Sequence, residues 1–288
     1  MFIGEFMNKT LLKRIVKKEL SDIKYDRKKK IAICLIIFIP ILDVIIGMIS
    51  HYGRFFTEFE SYGTKDGILN LLEMAHRPKY SYFLTGKTQG HIAQILLIWL
   101  LPIYMLLACG DKKVGEEKTG YSVLLSTRAS VKTIFKGKLI NGFIVGFSTV
   151  FISMIINCVL CHIVFFKGKE DGNIENLAQY MGSIFKATVD HPYLVYLIYI
   201  LLFSILAGLC MVMCISISYI FKDYKLLYGI SIGIWLYNIM HKYTLVNIVQ
   251  PYIEYGFKYM AISFTIFLSM VIVSIIAGYF VGIKREVI

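Results

Sequence analysis

Apolar residues in this chain come in long unbroken blocks, without the period of 2 of a half-buried strand or the 3.6 of a surface helix. Six blocks stand out: Ile31–Ser50, Ile92–Cys109, Leu139–Phe166, Tyr193–Phe221, Leu226–Met240 and Met260–Ile283. Roughly 20 apolar residues in helical form cross the hydrocarbon of a bilayer. The pattern therefore predicts an all-α integral membrane protein of six transmembrane helices, a single transmembrane domain over residues 1–288. The third and fourth blocks exceed the minimum and are expected to tilt or protrude; the fifth is short. The first block follows a basic segment as a signal peptide would, yet it is too long and lacks a small-residue cleavage site, so it reads as an anchor.

The polar intervals carry three further elements. Residues 8–23 place Leu12, Ile15, Val16, Leu20 and Ile23 on one helical face with lysines and an arginine opposite. A basic amphipathic helix of this kind lies in the headgroup plane. Between the second and third blocks a short helix is expected around Val114–Ser126, with Ser130 as the N-cap of the next helix. Between the fifth and sixth, Pro251 and Gly256 interrupt a short apolar run, which predicts a re-entrant or interfacial helix pair.

Charge sets the orientation. Lys and Arg number 10 in residues 1–30, 7 in 110–138, 2 in 221–225 and 2 in 284–288. The longer intervals 51–91, 167–192 and 241–259 hold 5, 3 and 2. The denser side faces the cytoplasm, and an even number of spans puts both termini there. The net charge of +12 is accounted for by this asymmetry, so nucleic acid is not an expected partner and the lipid bilayer is. With 57% hydrophobic and 17% charged residues, an ordinary soluble domain is excluded.

Chemistry is sparse. Ser81–Thr88, SYFLTGKT, approaches a phosphate-binding loop but lacks its first glycine and any strand–loop–helix setting. Cysteines 34, 109, 158, 161, 210 and 214 all lie in or beside blocks, as small buried hydrophobes do, and no metal site is expected. All six histidines fall in the intervals assigned to the outside or at outer ends of blocks, where interfacial packing and a pH response are alternative roles. Asp43, the one acid well inside a block, is a candidate for the translocation path; the alternative is an outer-end position hydrated through a kink at Pro40.

From Pro102 to Phe143 the chain reads PIYMLLACGDKKVGEEKTGYSVLLSTRASVKTIFKGKLINGF. This run resembles the ABC transporter type 2 permeases of bacterial exporters: an acid as the second span ends, then E-x-x-x-G, then R-x-S-x-x-x-(aromatic)-x-x-K. The matching residues are Asp111, Glu116, Gly120, Arg128, Ser130, Phe135 and Lys138. The motif covers about 40 residues, and the six-block plan agrees over the whole chain. The resemblance implies a permease subunit of the bacterial plasma membrane, paired with a second permease, identical or related, and with separate nucleotide-binding subunits that carry ATP-Mg. The chain itself would be no enzyme and hold no cofactor. Residues 8–23 would be the elbow helix. Residues 111–128 would contain the coupling helix, with Asp111, Glu116, Glu117, Gly120, Tyr121, Leu124 and Arg128 engaging the ATPase. The expected cargo is an amphiphile, first of all a bacteriocin-like or toxin-like peptide. The alternative is an ATP-independent membrane protein: a secondary transporter, or an immunity or scaffold protein without a transport cycle.

Overall fold

The computed structural model describes residues 16–19, 21, 25–62, 77–85, 92–127, 130–168, 170, 172, 176, 181–252 and 255–286. Leu12, Ile15, Leu20, Ile23 and Arg128 lie outside them, as does most of the 8–23 segment. Among the described residues the regular structure is helical, with no strand. In chain order the helices are α1 (Arg27–Tyr62), α2 (Pro78–Ser81), α3 (Ile92–Trp99), α4 (Leu101–Met105), α5 (Lys112–Lys118), α6 (Tyr121–Ser126), α7 (Val131–Val164), α8 (Ser183–Asp190), α9 (Pro192–Ile220), α10 (Tyr224–Met240) and α11 (Gly256–Glu286). A π-helical turn, Leu106–Gly110, continues α4, and a 3-10 turn, Val246–Val249, precedes α11.

Among the described residues four helices are long and apolar enough to cross a membrane: α1 over Arg27–Ile49, α7, α9 and α11 over Gly256–Gly282. The pair α3 and Leu101–Gly110, bent by 56°, makes a fifth if it counts as one span. Helix α10 has 17 residues, about 26 Å at 1.5 Å per residue.

Helix α9 is the hub. Of its apolar window 78% is buried, against 22–39% in the other three long helices. Small residues let its neighbours approach, as they do where both partners are equally greasy. A Cβ on Gly146 of α7 would lie 2.9 Å from the carbonyl oxygen of Ala207, and one on Gly278 of α11 only 2.5 Å from that of Ser216. The α7 and α11 backbones thus rest directly on α9.

Two prolines interrupt helices, and each freed carbonyl is served by a neighbouring side chain. Pro40 has no N–H for the carbonyl of Ile36, four residues back; the buried hydroxyl of Ser153 donates to it at 2.8 Å. Pro102 likewise leaves the carbonyl of Ile98, and the indole N–H of Trp235 donates to it at 2.7 Å. Asn157 ties three segments together: its amide donates to the Pro40 carbonyl at 2.9 Å and its oxygen accepts from the Phe83 N–H at 3.0 Å.

Several expectations are corrected. The 114–126 region is not one helix but two, α5 and α6, broken at Gly120, whose φ of +71° is a left-handed conformation suited to glycine. Among the described residues between α10 and α11 there is one 3-10 turn rather than a helix pair. The expected cap, by contrast, is present: Ser130 accepts from the Thr133 N–H at 3.4 Å, and α7 begins at Val131.

Candidate functional site

One end of the bundle gathers the start of α1, the end of α4, helices α5 and α6, and the start of α7 and α10. Helix α5 turns its charges inward: Lys113, Val114 and Glu116 are all buried. Glu116 pairs with Lys138, two turns into α7; both side chains are 6% exposed. Lys113 pairs with Glu117 at 3.5 Å and lies 5.0 Å over the Tyr219 ring of α9. Lys112 pairs with Glu19 of the N-terminal segment at 2.6 Å, and Lys18 bonds the Tyr121 hydroxyl. The loop between spans is thereby fastened to α7, α9 and residues 16–19 at once.

Asp111, the hinge residue after the π-helical turn, accepts from the Tyr228 hydroxyl of α10 at 3.2 Å. Burial pushes its carboxyl above the usual aspartate range; the Tyr228 hydrogen bond and the Lys28 ammonium oppose the shift. Between Glu19, Cys109, Lys112, Lys138, Asn141 and Ser218 lies a cavity of about 10 Å³, the room one water needs. Asn141 Oδ1, on its lining, and Glu116 Oε1 are buried without a hydrogen-bond partner among the described residues.

The outward side of the loop is different in kind. Val123 and Leu124 of α6 are 65% and 60% exposed, while Tyr121 is half-buried. Of the residues expected to face a partner, Asp111, Glu116 and Glu117 thus turn toward the bundle, Gly120 makes the turn, and Leu124 projects. Val16 is half-buried. Asp43 is 5% exposed, within electrostatic reach of Cys161 on α7. It belongs to the packing of α1 on α7 and not to an open face.

The opposite end is aromatic. Tyr82 stacks on Tyr196 with centroids 4.0 Å apart and its hydroxyl meets His162 Nε2 at 3.2 Å. His162 Nδ1 lies 2.8 Å from the carbonyl of Cys158. A carbonyl only accepts, so Nδ1 carries the proton and Nε2 accepts from Tyr82. Glu170 sits between Arg77 at 2.5 Å and Lys79 at 2.7 Å. Among the described residues no three His, Cys, Asp or Glu side chains gather to hold a metal ion.

Lys138, Asn141 and Glu19 were not singled out as site residues by sequence. Lys138 carried a signal as a motif match and as the ionisable residue at the very edge of an apolar block; Glu116 was expected to face a partner, and nothing in the sequence paired the two.

No protein-family model matches the chain. Over 214 residues it is 30% identical to "Uncharacterized protein YybM" of Bacillus subtilis (strain 168), an alignment spanning 74% of this chain and 85% of that protein. The chain belongs to the YybM family. That breadth extends the kinship of this YybM-family chain well past any one loop: 214 residues cannot be matched without including several of the long apolar helices.

Proposed function

We propose that this chain is the permease subunit of an ATP-driven bacterial exporter. In this reading α1, the bent α3–α4 pair, α7, α9, α10 and α11 are six spans of the plasma membrane, with both termini and the α5–α6 loop in the cytoplasm. Residues 8–23 form the membrane-surface elbow. A nucleotide-binding subunit binds the α5–α6 loop, a second permease completes the pathway, and an amphiphile, foremost a peptide, is the cargo.

The observation that carries the reading is the two-sided construction of the α5–α6 loop. Its inner side is clamped by Glu116–Lys138 and Glu19–Lys112, while Val123 and Leu124 stand out from the tip. A greasy tip on a stiff base transmits displacement of a docked partner to the helices behind it. A solvated linker that served only to set topology would have no use for exposed valine and leucine on a clamped base. The motif residues Asp111, Glu116, Gly120 and Ser130 support the same reading by occupying structural roles: hinge, clamp, turn and cap.

The test is co-purification in mild detergent. Wild-type chain is expected to bring down an ATP-binding-cassette subunit, and the V123D/L124D variant to lose it while keeping its own melting midpoint. Wild-type chain that purifies alone, or a variant that retains the subunit, overturns the proposal and leaves an ATP-independent membrane protein as the reading.

A further inference from the structure

The start of α1 carries four consecutive basic residues, Arg27, Lys28, Lys29 and Lys30, and they do not share one environment. Lys29 is 5% exposed and turns toward the end of the bundle, where its charge acts on Asp111 and Cys109. Arg27, Lys28 and Lys30 are exposed. Lys112 and Lys113 of the loop and Lys138 of α7 each meet a carboxylate. Lys30 meets none among the described residues.

Directly beyond Lys30 runs an apolar groove of about 490 Å³, lined among the described residues by Lys30, Ile31, Cys34, Leu35, Ile37, Phe38 and Ile41. It is an open groove along one face of α1. Apart from the Lys30 ammonium, every lining side chain among the described residues is hydrocarbon or thiol. The groove lies along the stretch of α1 that is long and apolar enough to cross the bilayer, so its occupant is an amphiphile with its polar end at residues 27–30 and its chain running toward Ile41.

We propose that this groove is a binding site for an anionic phospholipid, with the phosphate at Lys30, flanked by Arg27 and Lys28, and an acyl chain along Leu35 and Phe38. Charge complementarity selects the headgroup: a zwitterionic lipid brings its own cation to the three exposed cations, and an anionic one does not. Basic side chains at the cytoplasmic edge of a span attract anionic lipid in this way. The site needs α1 to lie in a bilayer and does not depend on the exporter reading.

Photo-crosslinking of the full chain identifies the occupant. With p-benzoylphenylalanine in place of Phe38, the protein is reconstituted in vesicles of equal parts phosphatidylglycerol and phosphatidylcholine, irradiated, and its adducts weighed. Phosphatidylglycerol adducts should exceed phosphatidylcholine adducts by on the order of fivefold per engaged basic side chain. K30Q should lower the excess and R27Q/K28Q/K30Q abolish it, whereas K30R, which keeps the charge and tests for damage to folding, should retain it. Adducts in proportion to vesicle composition overturn the proposal. So does crosslinking to residues 1–15 or to a second copy of the chain, and so does loss of the excess on adding soluble glycerol phosphate, which would reduce the site to one for phosphate alone.

Discussion

The indole N–H of Trp235 donates to the carbonyl of Ile98 at 2.7 Å, the acceptor that Pro102 cannot serve. In a low-dielectric interior a carbonyl left without a donor costs about 1–3 kcal/mol. Trp235 is 1% exposed and its ring meets Phe267 edge-on at 5.6 Å, so no water can substitute. The bend between α3 and α4 is therefore held by a residue of α10, more than a hundred positions later.

Trp235→Phe keeps the aromatic contact and deletes the donor. We expect a loss of about 1–3 kcal/mol, read as a lower melting midpoint in detergent. Pro102→Ala restores a backbone N–H opposite Ile98, so the double variant P102A/W235F should recover most of that loss. Strict additivity of the two changes would show that Ile98 was never the point of connection.

Breaking the buried pair on one side should be severe. Lys138→Met or Glu116→Leu alone leaves an uncompensated charge and is expected to cost about 3–5 kcal/mol. The pair of changes together should be far milder than either. Denaturant unfolding of the three variants decides it; a double variant worse than both singles contradicts the pairing.

Close helix approach predicts a contrast among glycines. Gly278→Ala drives a methyl against the Ser216 carbonyl, 2.5 Å from its ideal position, whereas Gly233 has nothing within 4 Å of its own. Overpacking costs typically about 1–3 kcal/mol, so G278A should lower the melting midpoint clearly. G233A should leave it unchanged or raise it slightly. Equal effects would mean that α11 does not rest on α9.

Asp111 adds a pH signature. Its folded carboxyl is held above the ordinary value of roughly 3.9, chiefly by burial. Between those two values the folded chain binds a proton that the unfolded chain has released, so stability from this group falls as pH rises through the window and is level above it. Melting midpoints of wild type and D111N, compared from about pH 4 to 8, should show wild type losing ground to D111N as pH rises and then running parallel. Wild type gaining ground over that interval would contradict the burial of Asp111.

Much of the architecture was legible in the sequence because a bilayer removes the need for periodicity: twenty apolar residues in a row read as a long helix whatever their order. Ser130 was legible as a cap because its role is local. With the cap at Ser130 the start of α7 at Val131 was legible too; what was not is that Lys138, two turns in, is buried against Glu116. The inward turn of Glu116 was hidden with it. A carboxylate in a polar stretch reads as exposed, and only a partner 22 residues away reverses that. Nor does any local pattern announce that Ser153 and Trp235 serve carbonyls orphaned by prolines on other helices. Proline position predicts the vacancy, and the tertiary fold chooses who fills it.

The central place of α9 has a bearing on how the chain is made. Its α7 side finds a partner already synthesised, but its α11 side, with Ser216 and Tyr219, waits for α11 to leave the ribosome. A nascent chain halted after α10 would present hydroxyls and bare backbone to lipid along that side. Arrival of α11 is thus the step that covers the remaining side of the most buried helix.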